Sequence, residues 1–373
     1  MSVYLDNAAA APCDPELLDY LVRCGREFPG NQESMGYHGS LAAKRIREAE
    51  EELIAAFHFS GFVPVYGNTG TEILAAAAET VCRSVPKGKE IITTALEHPA
   101  LEMALKRSCE RHGQILRFCP ADRSGVRLEV LESLLTDQTA AVAVHHVQSE
   151  TGGILNLSAV RAMMDRAAPR ALLLTDTMQS IGKIPVDAAS VRPDFMTLSG
   201  QKLGAPGGAV LFCREKYVRT ARALRSAEPF GGRVPVPVLL TAIRSGIRAA
   251  AAREKNLNLA AGLKTRLREE LRKQQLNFPE TLPPATVSPF ILHLLTAPYQ
   301  GAILTRALHA HQISAAPGSA CESETPGGSR ALSAMGYSRR DSFCGLRLSF
   351  WKDNTPDEIR FFVSKLAECI RQY

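Results

Sequence analysis

Two short stretches of this chain end in side chains with complementary chemistry. Leu172-Leu-Leu-Thr-Asp176 is an apolar run that closes on a carboxylate, with Gln179 just beyond it. Asp194-Phe-Met-Thr-Leu-Ser199 is a second, which closes on a hydroxyl and is followed by Gln201 and Lys202. A lysine can form a Schiff base with an aldehyde, and a carboxylate can hold the proton of a ring nitrogen. Hydroxyls and amides can take a phosphate and a ring hydroxyl. That combination suits pyridoxal 5′-phosphate (PLP). Taken singly, Asp176 reads equally well as a helix cap and Lys202 as a solvated loop lysine. Their joint appearance at the ends of two strand-like runs aims them at one crevice, where ligands bind in an open α/β sheet.

The elements that must position them can be traced along the chain. Short runs with β-like composition recur at 63–66, 90–94, 115–118, 140–144, 171–174, 195–198 and 209–212, with helical patterns between most of them. Such alternation predicts an α/β fold with a mainly parallel, seven-stranded sheet covered on both faces. After Gly231-Gly232 the texture changes: one long helix is expected from about Leu239 to Gln274, with Leu263, Leu267 and Leu271 facing inward. A βαβα tail follows. Its last helix has a clear start in Thr355-Pro-Asp-Glu358, an N-cap threonine with proline at N1 and glutamate at N3. This organisation predicts a large domain over 13–249 and a small α+β domain formed by 1–12 and 250–373.

Composition is that of an ordinary globular enzyme, with 373 residues, 45% hydrophobic and 22% charged. No apolar run reaches the roughly 18 residues of a membrane-spanning helix, and the first residues lack a signal-peptide pattern. The expected location is therefore cytoplasmic, away from membranes. The net charge of +6, from 44 basic and 38 acidic residues, is spread along the chain, which disfavours nucleic acid as a partner. The 9 cysteines, an odd number, form no CxxC pair, which argues against a disulfide framework and against a zinc ribbon, and no metal is expected.

Three further segments carry chemistry. Gly67-Asn-Thr-Gly70-Thr71-Glu72 ends a strand and opens a helix, where backbone amides can bind phosphate; it matches neither a Walker A loop nor a GxGxxG fingerprint. Glu97-His98-Pro-Ala sets a histidine just past a strand end. Gly318-Ser-Ala-Cys321 sets a cysteine in a small-residue loop, where a thiolate could act as a nucleophile. His145 and His146 lack metal-ligand spacing and read as structural, as do the eight other cysteines.

In this order the motifs resemble the cysteine desulfurases, within the class V aminotransferases and the fold-type I PLP enzymes. The likeness runs from about residue 3 to the C-terminus and is closest to the group with the longer Gly-Ser-Ala-Cys loop. It implies a homodimer that converts L-cysteine to L-alanine, holds sulfur as a persulfide on Cys321 and passes it to an acceptor protein. Lys202, Cys321 and His98 would be catalytic. Gly70, Thr71, His98, Ser149, Asp176, Gln179, Ser199, Gln201 and Lys202 would hold the cofactor. Asn7, Asn31 and Arg347 would meet the substrate; Arg347 lies in Gly345-Leu-Arg-Leu-Ser349, and an arginine fork matches a carboxylate in two-point geometry.

Four departures from the family pattern are present. Gln201 stands where the family has histidine, and Ser149 where it has asparagine. The run after Gly232 passes almost directly into a helix, without the family's Arg-Ser-Gly-Thr, and alanines follow Asn7. These motivate a second reading as a selenocysteine lyase or a small-amino-acid lyase or transaminase. A third, a degenerate fold kept as a binding protein, is opposed by the intact Lys202 and its companions.

Overall fold

The computed structural model describes residues 2–225, 233–318 and 328–372. Cys321 lies outside the described residues. The chain opens with a two-residue strand, β1 (Val3–Tyr4), and two helices, α1 (Pro15–Glu27) and α2 (Tyr37–Phe57). The alternation then begins with β2 (Phe62–Gly67), α3 (Gly70–Ser84), β3 (Glu90–Thr94), α4 (Pro99–His112) and β4 (Ile115–Cys119). A small hairpin, β5 (Ala121–Asp122) and β6 (Gly125–Val126), leads through α5 (Leu128–Leu134) to β7 (Thr139–His145). Next come α6 (Leu157–Ala167), β8 (Leu172–Asp176), α7 (Ala188–Val191), β9 (Phe195–Ser199), β10 (Ala209–Arg214) and α8 (Glu215–Arg225).

The main sheet has seven strands in the order β2-β10-β9-β8-β7-β3-β4. β10 runs antiparallel to both of its neighbours and the other pairings are parallel. The expected α/β class and seven-stranded, mainly parallel sheet are therefore present. Alternation along β10 explains the two faces. Ala209, Leu211 and Cys213 pack toward α3 and α4, while Val210 and Phe212 pack toward α2 and the C-terminal elements. β7, β8 and β9 are buried at nearly every position, as central parallel strands covered by helices should be.

The single long helix expected from about 239 to 274 is instead two, α9 (Val236–Ala251) and α10 (Arg253–Lys273). The break falls at Ala252, whose ψ of 4° leaves the helical region. No proline or glycine marks it; the cause is tertiary. α9 packs on α1 and α2, whereas α10 packs on the C-terminal helix, so the two halves serve different neighbours. The inward-facing leucines of α10 are buried as expected.

Beyond α10 come β11 (Ile291–Leu295), α11 (Gly301–His309), β12 (Ile313–Ser314), α12 (Arg330–Ala334), α13 (Arg339–Ser342), β13 (Gly345–Ser349) and α14 (Pro356–Gln372). The expected start of α14 is a reciprocal capping box. Glu358 N donates to Thr355 Oγ1 at 3.2 Å, and Thr355 N donates to Glu358 Oε2 at 2.8 Å. β11 pairs antiparallel with β13, and β1 pairs parallel with β12, so the first strand is built into the last part of the chain.

Candidate active site

Because six of the seven main strands share one direction, their carboxyl ends form one rim. A cavity of about 330 Å³ opens there. Its wall brings together Gly70, Thr71, His98, Ser149, Asp176, Gln179, Ser199, Gln201, Lys202 and Arg347. Segments far apart in sequence thus converge on this rim.

At one end the wall is the start of α3. The Thr69 side chain accepts from Glu72 N at 3.2 Å, and the Glu72 carboxylate turns back to accept from Asn68 N at 2.6 Å. The first amides of the helix, Gly70 and Thr71, have no intrahelical acceptor and suit an anion. A Cβ on Gly70 would meet Met178 Sδ at 2.7 Å and Ser199 Cβ at 3.7 Å, so glycine keeps this corner open beside the Ser199 hydroxyl.

Asp176 closes β8. Its Oδ1 accepts from Met178 N at 3.1 Å and from Thr197 Oγ1 at 2.9 Å. Oδ2 has no bond among the described residues. The carboxylate is therefore fixed by one oxygen and available through the other. It caps its own turn, and it also lines the cavity.

Lys202 sits in a 3-10 turn, Gly200–Leu203, directly after β9. A Cβ on Gly200 would come 2.5 Å from Gly207 O, so the turn lies tightly on the segment that leads into β10. From there Lys202 Nζ donates to Ala8 O at 2.7 Å and also to Ala9 O. The Gln179 amide shares the same carbonyl: Nε2 donates to Ala8 O at 2.8 Å, while Oε1 accepts from Lys183 Nζ at 3.0 Å.

His98 is the N-cap of α4, and its Nδ1 accepts from Ala100 N at 3.1 Å. An accepting Nδ1 assigns the proton of the neutral ring to Nε2. Burial lowers its pKa, and the charges of Lys202 and Arg347 act the same way against Asp176 and Glu97. His145 is a wall residue with Nδ1 2.8 Å from Glu97 Oε1; burial works against its charge, but Glu97 raises its pKa overall. Burial and the neighbouring His145 push His146 down to about 4.

Arg347 reaches the cavity from β13 and is 2% exposed. Nη2 donates to Asp6 Oδ1 at 2.6 Å and Nη1 to Ser149 O at 2.9 Å, while the buried Nε has no partner among the described residues. A buried guanidinium on the cavity wall with one N–H unsatisfied among the described residues fits an incoming carboxylate.

Two expected substrate residues lie off this cavity wall. Asn7 does not line the cavity. Its amide donates to Ser349 O at 2.7 Å and to Tyr4 O and Asn354 Oδ1, which ties the turn bearing Ala8 to β13. Asn31 is exposed, lies outside the cavity wall, and accepts from Glu33 N at 3.1 Å. Residues that sequence reasoning missed are Asp6, Thr197 and the Ala8 and Ala9 carbonyls. Thr197 had a signal, since it lies two positions before Ser199 on the same strand face. Backbone carbonyls had none.

The donor set fits PLP: open helix amides and a hydroxyl for phosphate, a carboxylate with a free oxygen for the ring nitrogen, and an amine between them. Lys202 and Arg347 also favour its negative groups.

The family model described as Aminotransferase class-V matches residues 3–237. A cysteine desulfurase from Trichormus azollae is 27% identical, with 99% of this chain and 93% of that protein covered. The cysteine desulfurase NifS of Azotobacter vinelandii is 26% identical with the same coverage. Among solved structures, a NifS-like protein superposes with a TM-score of 0.87 at 23% identity over 100% of both chains. A NifS-like protein from Rickettsia africae gives 0.84 at 18% identity, again over 100% of both.

Proposed function

Because this chain belongs to the class V aminotransferase family, we propose that it is a PLP-dependent cysteine desulfurase that forms L-alanine from L-cysteine. The observation that carries this reading is the convergence of Lys202, Asp176, His98 and Arg347 on one cavity at the strand ends. Bound PLP supplies an electron-withdrawing ring that makes the substrate's α-proton acidic. Asp176 Oδ2 holds the proton of the ring nitrogen, and the α3 amides with Ser199 bind the phosphate. Arg347 binds the substrate carboxylate. Lys202 Nζ would hold the cofactor's aldehyde carbon and move the α-proton, and His98 would hold a proton at Nε2.

Cys321 is the sulfur carrier in this reading. The substrate C–S bond breaks, an S–S bond forms, and the balance is L-cysteine plus the Cys321 thiol giving L-alanine plus a Cys321 persulfide. An acceptor protein then removes the outer sulfur, as iron–sulfur cluster assembly would require. A cytoplasmic homodimer and the division at 13–249 against 1–12 and 250–373 belong to the same proposal. The test is alanine release from L-cysteine by the PLP-loaded chain with a reductant present, beside Cys321→Ala. Alanine from the former alone supports the reading; equal rates overturn it. A second reading, a class V enzyme acting on selenocysteine or another small amino acid, is favoured at one position, Ser149, which offers only a short side chain in the cavity wall. Turnover of such a substrate at full rate by Cys321→Ala would select it.

A further inference from the structure

Lys183, four residues beyond Gln179, is 2% exposed and does not line the cavity. Among the described residues it pairs with no carboxylate. Its Nζ donates to Gln179 Oε1 at 3.0 Å and lies 5.5 Å from the centre of the Trp351 ring. The charges that face it are those of Lys202 and Arg347, both cations. The fold thus buries a third basic side chain beside two others, where charge is disfavoured.

The two ends of a glutamine amide are nearly identical in shape, so only the hydrogen-bond network decides which way it points. An ammonium has donors and no acceptor, and can face only Oε1. With Oε1 so held, Nε2 must point away from Lys183, and it does, toward the Ala8 carbonyl that also receives Lys202. We propose that Lys183 is a positioning residue that locks the Gln179 amide with its NH2 group turned toward the cofactor, so that the ring oxygen of PLP meets a donor and not an acceptor. This rests on the cofactor reading above and deepens it. Burial, with the nearby charges of Lys202 and Arg347, pushes Lys183 down to about 7, so the fold tolerates this amine and is not built on it, and the lock is fully set below that value, where the amine is an ammonium and can only donate.

The test uses the full chain loaded with PLP, as wild type, Lys183→Met, Lys183→Arg, Gln179→Leu and the Met/Leu double variant. Two quantities are read: the cofactor dissociation constant and the pH midpoint of the cofactor's visible absorbance. Lys183→Met is expected to weaken PLP roughly tenfold, the worth of about one hydrogen bond, and to raise the midpoint. Lys183→Arg keeps a donor and should retain most of both. In the Gln179→Leu background the methionine should change neither quantity, since the amide it acts through is gone. An equal shift in both backgrounds, or none in the native one, overturns the inference. A melting temperature of the cofactor-free Met variant at or above wild type is expected, and a large fall marks a structural role and overturns it too. Should Lys183→Met not accumulate, Lys183→Gln, too short to reach Oε1, gives the same reading. Wild-type protein that takes up no PLP would instead defeat the functional reading itself.

Discussion

At Asp176 the bland role and the chemical one are compatible, because Oδ1 serves the local turn and Thr197 while Oδ2 has no bond among the described residues and the side chain lines the cavity. Thr197→Val removes the hydroxyl that orients this carboxylate without opening space. PLP affinity, followed by absorbance titration, is expected to fall roughly ten- to a hundredfold, in line with the loss of one hydrogen bond to a charged group. Arg347→Lys leaves a cation but not a planar fork. Its expected signature is a KM for L-cysteine raised about tenfold or more, with a smaller change in kcat, read by steady-state kinetics. Lys202, Asp176 and Ser199 were legible because a polar residue closing an apolar run has few reasons to be there. Asn7 was not. An asparagine beside a strand reads the same whether its amide faces a ligand or a neighbouring backbone, and only the fold brings Ser349 to it.

Elements set these side chains through contacts that spacing reveals unevenly. The carboxyl ends of β8 and β9 were readable from short apolar runs that close on polar residues, whereas the break between α9 and α10 was not, since it answers to which helix lies alongside. Gly200 illustrates the precision involved. A methyl there would press on the Gly207 carbonyl at 2.5 Å, and backbone on both sides cannot yield cheaply. Gly200→Ala is expected to displace the turn bearing Lys202, cutting cofactor retention at least tenfold in a dialysis assay and lowering the melting temperature. Glu79 has the opposite task, joining α3 to α4. Its buried carboxylate meets His112 Nε2 at 2.7 Å, Arg83 Nε at 3.0 Å and Ser108 Oγ at 2.9 Å. Burial opposes its charge, but these partners hold its pKa down to about 2. Glu79→Gln should cost about 1.5–3 kcal/mol in urea denaturation at neutral pH. It should also weaken PLP, because these two helices begin at Gly70 and at His98.

Across the whole molecule the buried titratable groups make the fold acid-sensitive. Burial holds His146 near 4, and burial with the Arg347 charge holds His293 near 3, both below the ordinary value of 6.5. The unfolded chain therefore takes up their protons first, and stability falls as pH drops from about 6.5. Glu79, held below its ordinary 4.5, adds its loss only between about 4.5 and 2. His145 works the other way, its stabilisation full below 6.5 and lost above. The melting temperature is expected to decline already between pH 6.5 and 4.5, and His146→Asn should flatten that arm of a calorimetric pH series. One further consequence follows from the pairing of β1 with β12 and of Asn7 with Ser349, partners 342 positions apart. On the ribosome the carbonyls of Ala8 and Ala9 are made early, but the strands that hold them against Lys202 are made late. The nascent chain can assemble most of its main sheet without a finished cofactor pocket. On the proposed function, the cofactor would find a finished pocket only after the segment carrying β12 and β13 has been made.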